Sequence, residues 1–152
     1  PFPDQSFDLV VSCHVLEHIP EDQRDAFLDV LISKARKAVI LLNPFIGEGV
    51  EERLQFTWEE LQANWAKEHI DCKMPRPEYV MDYAQRRDLN CTMTPNATIS
   101  TAFALVWVAH MMNRDGHREK YRRFNRYMNT NMMHTMHDDP GSNIFLSVLT
   151  RK

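Results

Sequence analysis

The sequence predicts an α/β domain of 152 residues whose sheet opens with two parallel strands. Three observations carry this. The β-branched run FDLVVS, Phe7 to Ser12, and the run Val39–Leu42 both read as short strands. A segment of helical spacing lies between them, and strand, helix and strand within about 40 residues make a βαβ unit with a right-handed crossover. Downstream, helix-like segments alternate with two further strand-like runs, Leu89–Thr94 and Ile144–Thr150.

Each element has its own signals. FDLVVS is a short β-branched run suited to a buried strand. In the helix that follows, Pro20 takes the first helical position and Glu21, Asp22 and Asp25 sit where the helix dipole favours acids, while Phe27, Val30, Leu31 and Ala35 recur at helical spacing. Asn43-Pro44 stops the second strand. Thr57 and Glu60 are spaced as a capping box, predicting a helix opened there with Trp58, Leu61 and Trp65 on one face. Pro77 begins a helix through about Arg87. Leu89, Cys91 and Met93 alternate with Asn90, Thr92 and Thr94, so that strand has two different faces, and Pro95 ends it.

Ala97–Met112 is apolar nearly all round and reads as a buried helix. Gly116 separates it from an amphipathic helix beginning near His117, with Tyr121, Phe124, Met128 and Met132 on one face and Arg118, Arg122 and Arg126 on another. Asp138-Asp139-Pro140-Gly141 is turn chemistry before the final strand.

Composition narrows the function classes. With 43% hydrophobic and 26% charged residues and a net charge of −3, disorder and a coiled coil are excluded. Only four glycines occur, Gly47, Gly49, Gly116 and Gly141, so no glycine-rich phosphate cradle exists in these residues. Three cysteines, Cys13, Cys72 and Cys91, leave an odd thiol under any pairing, which points to a reducing, cytoplasmic setting. The longest apolar stretch falls short of the roughly 20 residues that span a bilayer. Residues 1–76 carry 8 Lys/Arg against 14 Asp/Glu, and residues 77–152 carry 10 against 7, so the C-terminal half has the basic surface. No nucleic-acid partner is expected.

In an open parallel sheet, ligands sit outside the carboxyl ends of the strands. Two such ends are visible: Ser12-Cys13-His14 leading into Val15-Leu16-Glu17-His18, and Asn43-Pro44-Phe45. The run Pro1-Phe2-Pro3-Asp4-Gln5-Ser6-Phe7-Asp8, continued by Val10-Val11-Ser12 and His14-Val15-Leu16-Glu17-His18, resembles the central segment of class I S-adenosylmethionine-dependent methyltransferases. The resemblance implies a three-layer, Rossmann-like α/β fold with a mostly parallel sheet and an antiparallel last strand. Phe7–Ser12 would be the family's fourth strand, Val39–Phe45 its fifth with the exit loop, Leu89–Thr94 its sixth and Ile144–Thr150 its antiparallel seventh. It further implies S-adenosylmethionine as cofactor in the complete domain, with Ser12, Cys13 and His14 lining its methionine side and His18 facing the cleft. His14 or His18 could then serve as general base, because an unperturbed imidazole pKa of about 6.5 suits neutral operation. The acceptor would be a small molecule or a glycan, since Met74 to Asn96 and Asn143 to Lys152 are similar to methyltransferases of surface-polysaccharide and glycan biosynthesis.

The family's glycine-rich turn and its ribose- and adenine-binding acids are missing from these residues, so the expectation is a C-terminal portion: a partial methyltransferase domain over 1–152 with a helical insertion at about 97–135. Its first strand would then present a long hydrophobic edge, and native sheets avoid such edges. Homo-oligomerisation through that strand is expected. A non-catalytic α/β binding or assembly module is the alternative function.

His14-x-x-Glu17-His18 also satisfies the H-x-x-E-H pattern of inverted zinc peptidases. That chemistry needs both histidines on one continuous helix, whereas His14 directly follows a strand and Pro20 starts a new segment, so no metal site is expected. His134-x-x-His137-Asp138-Asp139 adjoins a Pro-Gly turn and reads as a solvated helix end. The stripe Arg118, Arg122, Arg126 reads first as a solvated face, with peripheral contact to an anionic membrane as its functional alternative.

Overall fold

The computed structural model describes residues 2–131 and 142–152. Four strands, β1 (Phe7–Cys13), β2 (Ala35–Pro44), β3 (Leu89–Thr98) and β4 (Ser142–Arg151), form one sheet in the order β1-β2-β4-β3. β1 and β2 pair in parallel, Val10 opposite Val39 and Ser12 opposite Leu41. β4 runs antiparallel to both of its neighbours, with Leu149 opposite Val39 on one side and Cys91 on the other. The α/β class and the antiparallel last strand follow the sequence reading.

Helices α1 (Arg24–Lys34) and α4 (Pro77–Arg86) cover one face of the sheet. Leu28, Val80, Tyr83 and Ala84 pack there against Val39, Leu41 and Leu149, all essentially without solvent contact. A rim of charge closes this layer. Asp25 accepts hydrogen bonds from the Tyr79 hydroxyl and Arg86, and Asp29 accepts them from the Tyr83 hydroxyl and Arg87. Burial first, then the accepting carboxylates, raise both phenols above their usual range.

A second, smaller core joins α2 (Val50–Glu59), α3 (Asn64–Asp71) and α5 (Ile99–Arg114) through Val50, Leu54, Ala66, Met74 and Phe103. Gly49 precedes α2 at φ +72°, a left-handed position where an added Cβ would strike the Arg53 guanidinium. After α5 comes α6 (Arg118–Asn131), with Gly116 between them, also left-handed at φ +76°. Arg118, Arg122 and Arg126 are exposed on α6, and Tyr121, Phe124 and Met128 are partly buried, as the amphipathic pattern requires.

Several elements depart from the sequence reading. β1 is an edge strand buried on one side only: Leu9 and Val11 are 52% and 64% exposed, while Ser12 is buried. Pro20 does not open α1. The chain instead makes two short 3-10 turns, Leu16–His18 and Glu21–Gln23, before α1 starts at Arg24, and Ala35 already belongs to β2. The physical reason is Arg24 itself, buried, with its guanidinium donating to the carbonyls of Ile19, Cys72 and Lys73, which fixes where the helix begins.

Thr57 and Glu60 do not form a capping box. Thr57 is buried in the last turn of α2, donating to Arg53 O at 2.5 Å and accepting from the Trp107 indole at 2.7 Å. β3 continues through Pro95, which faces Phe145 and is followed by an irregularity at Ala97 where the missing donor is tolerated. α5 is not buried all round: Val106, Val108 and Met111 are exposed, because among the described residues its packing surface is the Phe103–Trp107 side. The Asp138–Gly141 turn lies outside the described residues.

Candidate functional site

The carboxyl ends of β1 and β2 are where the chemistry-bearing groups gather. β1 ends at Cys13, and His14 follows at φ +53°, a left-handed conformation that a non-glycine residue adopts only at a cost of order 1–3 kcal/mol. Its N–H still donates to Leu42 O at 2.8 Å, continuing the ladder to β2, so the kink occurs while the backbone stays anchored. The chain then drops into the 3-10 turn that carries Glu17 and His18.

Glu17 is completely buried beneath this turn. The Asn43 amide, at the end of β2 and also buried, donates to Glu17 Oε2 at 2.6 Å, and His14 Nδ1 lies 3.3 Å from Oε1. Burial pushes the Glu17 carboxyl upward, but the His14 ring, its own backbone N–H and the Asn43 amide outweigh that and hold it below the ordinary carboxylate value. It is therefore a buried anion at neutral pH. Among the described residues no Lys or Arg pairs with it.

His18 points toward α3. Its Nδ1 is 3.3 Å from Glu68 Oε2, and its Nε2 is 3.2 Å from His69 Nε2, the rings crossing edge-on with centroids 4.6 Å apart. His69 is buried against the Trp65 ring, and its pKa is lowered to about 4, by desolvation first and the neighbouring His18 second. Cys72 Sγ donates to His18 O at 3.3 Å, tying the turn to the end of α3.

These groups line a cavity of about 330 Å³ between the sheet end and the smaller core. His14, Glu17, His18, Pro44 and Asn143 form its sheet side, and Val50, Leu54, Trp65, His69, Met74, Phe103 and Val106 its helical side. Its size is that of small-molecule sites, which combine apolar walls with a few convergent polar groups.

Of the sequence-derived candidates, His14 and His18 both reach this cavity, with Glu17 between them. Ser12, buried, and Cys13, exposed, sit at the end of β1 but are not among the lining residues. The inverted zinc-peptidase arrangement is not formed, because a left-handed His14 followed by a single 3-10 turn replaces the continuous helix it needs. His134, His137, Asp138 and Asp139 lie outside the described residues. His69 is the group that sequence reasoning missed: it stands 51 positions beyond His18, and no local spacing connects the two.

Comparisons with known proteins bear on the family and the fold. Residues 1–31 match the family model described as "Methyltransferase domain". No curated protein matches the sequence. Among solved structures, phosphoethanolamine N-methyltransferase 2 of Haemonchus contortus, determined with phosphomonomethylethanolamine and S-adenosylhomocysteine, aligns over 99% of this chain and 35% of its own, at 13% identity and a TM-score of 0.50. A SAM-dependent methyltransferase from Archaeoglobus fulgidus aligns over 99% of this chain and 62% of its own, at 13% identity and a TM-score of 0.47. The chain thus spans about a third and three fifths of the lengths of these two structures. Among the described residues, no helix is long and apolar enough to cross a membrane. In sequence across its first 31 residues and in fold, the chain resembles the class I S-adenosylmethionine-dependent methyltransferases.

Proposed function

We propose that this chain is the acceptor-side portion of an S-adenosylmethionine-dependent methyltransferase, acting on a hydroxyl of a small molecule or glycan, with its two-helix segment α5–α6 inserted between the sixth and seventh family strands. The observation that carries the reading is the cluster His14–Glu17–His18 at the carboxyl ends of parallel strands, opening on a cavity within a sequence segment that matches the methyltransferase model.

The cofactor supplies an electrophilic methyl group on a sulfonium. Residues Ser12, Cys13 and His14 end the strand that, by resemblance, borders its methionine side. Methyl transfer needs no covalent enzyme intermediate, only in-line placement of acceptor oxygen, methyl carbon and sulfur. His14 is the base in this scheme. The buried Glu17 carboxylate lies 3.3 Å from its Nδ1, which orients the ring and leaves Nε2 to take the acceptor proton. His18, the second candidate, has its nitrogens engaged with Glu68 and His69 and acts on the acceptor's position. Val50, Leu54 and Phe103 give the acceptor an apolar wall to pack against.

Transfer of radiolabelled methyl by the full-length protein to glycan or small-molecule acceptors tests this. His14→Ala is expected to lower turnover at least 100-fold, the usual scale for losing a general base, with cofactor affinity unchanged. Turnover equal to the unsubstituted enzyme would remove His14 from the mechanism.

A further inference from the structure

We propose that Glu17, His18 and His69 hold a divalent metal ion, zinc being the best match to this donor set, with an open coordination position facing the cavity. One ligand atom from each of the three lies within 4.8 Å of the other two. The two Nε2 atoms are 3.2 Å apart. Ligands held at about 2.0–2.1 Å from a tetrahedral zinc sit roughly 3.3 Å from one another, so the two imidazoles already stand at the spacing of a metal-bound pair.

Three independent features support the site. Glu17 is a wholly buried carboxylate whose neighbours are a neutral amide and a histidine, and a buried anion of this kind calls for a compensating cation. Glu68 stands 3.3 Å from His18 Nδ1, which directs the proton to that nitrogen and turns the Nε2 lone pair toward His69 Nε2, as carboxylates behind zinc-bound histidines orient the ligating nitrogen. His69 is fixed by the Trp65 ring on one side and the His18 ring on the other. Three protein ligands plus a vacant fourth position is the pattern of catalytic rather than structural zinc. All three residues line the cavity, so an acceptor bound there can reach the metal.

The role at the metal rests on the methyltransferase reading; the binding does not. A hydroxyl coordinated at the fourth position is acidified by the metal and gives its proton to His14. Its oxygen then bonds the methyl carbon as the carbon–sulfur bond breaks, and the sulfonium leaves as a neutral thioether.

The test uses protein stripped with a chelator and titrated with Zn2+ against a chromophoric competitor. One equivalent per chain is expected, with His18→Ala and His69→Ala each weakening the affinity at least 100-fold. His110→Ala, at a histidine that contacts Leu61 O instead, should leave it unchanged. Replacement by Co2+ reads the unsubstituted protein directly, so a variant that fails to fold does not obscure the answer: an intense visible band of a four-coordinate site is expected. Absence of that band, no stoichiometric zinc, or binding that survives both substitutions would overturn the site. Because none of these readouts measures methyl transfer, their failure leaves the proposed activity standing, and loss of activity in a zinc-loaded protein leaves the site standing.

Discussion

The two walls of the cavity are built on opposite principles. On the sheet side, backbone hydrogen bonds of β1 and β2 run up to His14 and Asn43, so the polar groups sit at the ends of a hydrogen-bonded scaffold. On the helical side, α2, α3 and α5 meet through a small apolar core with Trp58, Trp65 and Trp107 at its margin, and they contribute apolar surface plus the single histidine His69. The difference teaches a division of labour: a scaffold of strands fixes the polar, titratable groups, while packed helices shape the apolar side of the cavity. Arg24 joins the two sides, because it stands on α1 and bonds to carbonyls at the end of α3.

Breaking the scaffold should cost most. Leu28→Ala removes a fully buried side chain from the main core and is expected to destabilise the protein by about 2–5 kcal/mol. At this length each kcal/mol lowers Tm by roughly 2–4 °C, so differential scanning calorimetry resolves the change. Severing the link comes next. Arg24→Met keeps the apolar stem but leaves the Cys72 and Lys73 carbonyls without their donor, an expected loss of roughly 2–4 kcal/mol. Faster hydrogen exchange in α3 than in β1 and β2 would locate that loss at the junction. The smallest effect belongs to the helical side alone. Trp107→Phe deletes the indole bond to Thr57 Oγ1 at a cost of about 1 kcal/mol and should loosen α5 without altering exchange in the sheet. Equal loosening of both sides would contradict the division.

Much of the scaffold was legible in the sequence because its signals are local. β-branched runs, Pro77 at a helix start and the Leu89–Thr94 alternation each specify an element from within its own residues. The helical side was less legible because its signals are tertiary. Thr57 looks like a cap by its spacing to Glu60, yet its hydroxyl is taken by Arg53 and by Trp107, 50 residues away. α5 looks buried by composition, yet Val106, Val108 and Met111 are exposed. The site divides the same way. His14, Glu17 and His18 are contiguous in one motif and were readable at once, whereas His69 joins them only through the docking of α3.

The central claim is that the end of β1 borders a methionine-bearing cofactor. Titration of the complete domain, carrying the glycine-rich turn and the ribose- and adenine-binding acids, with S-adenosylhomocysteine, followed by backbone amide NMR, tests it most directly because it registers even weak binding. Chemical-shift changes concentrated at Ser12, Cys13 and His14, spreading to Glu17 and His18, are the expected result. Shifts confined to α6, or none at millimolar ligand, would contradict the account.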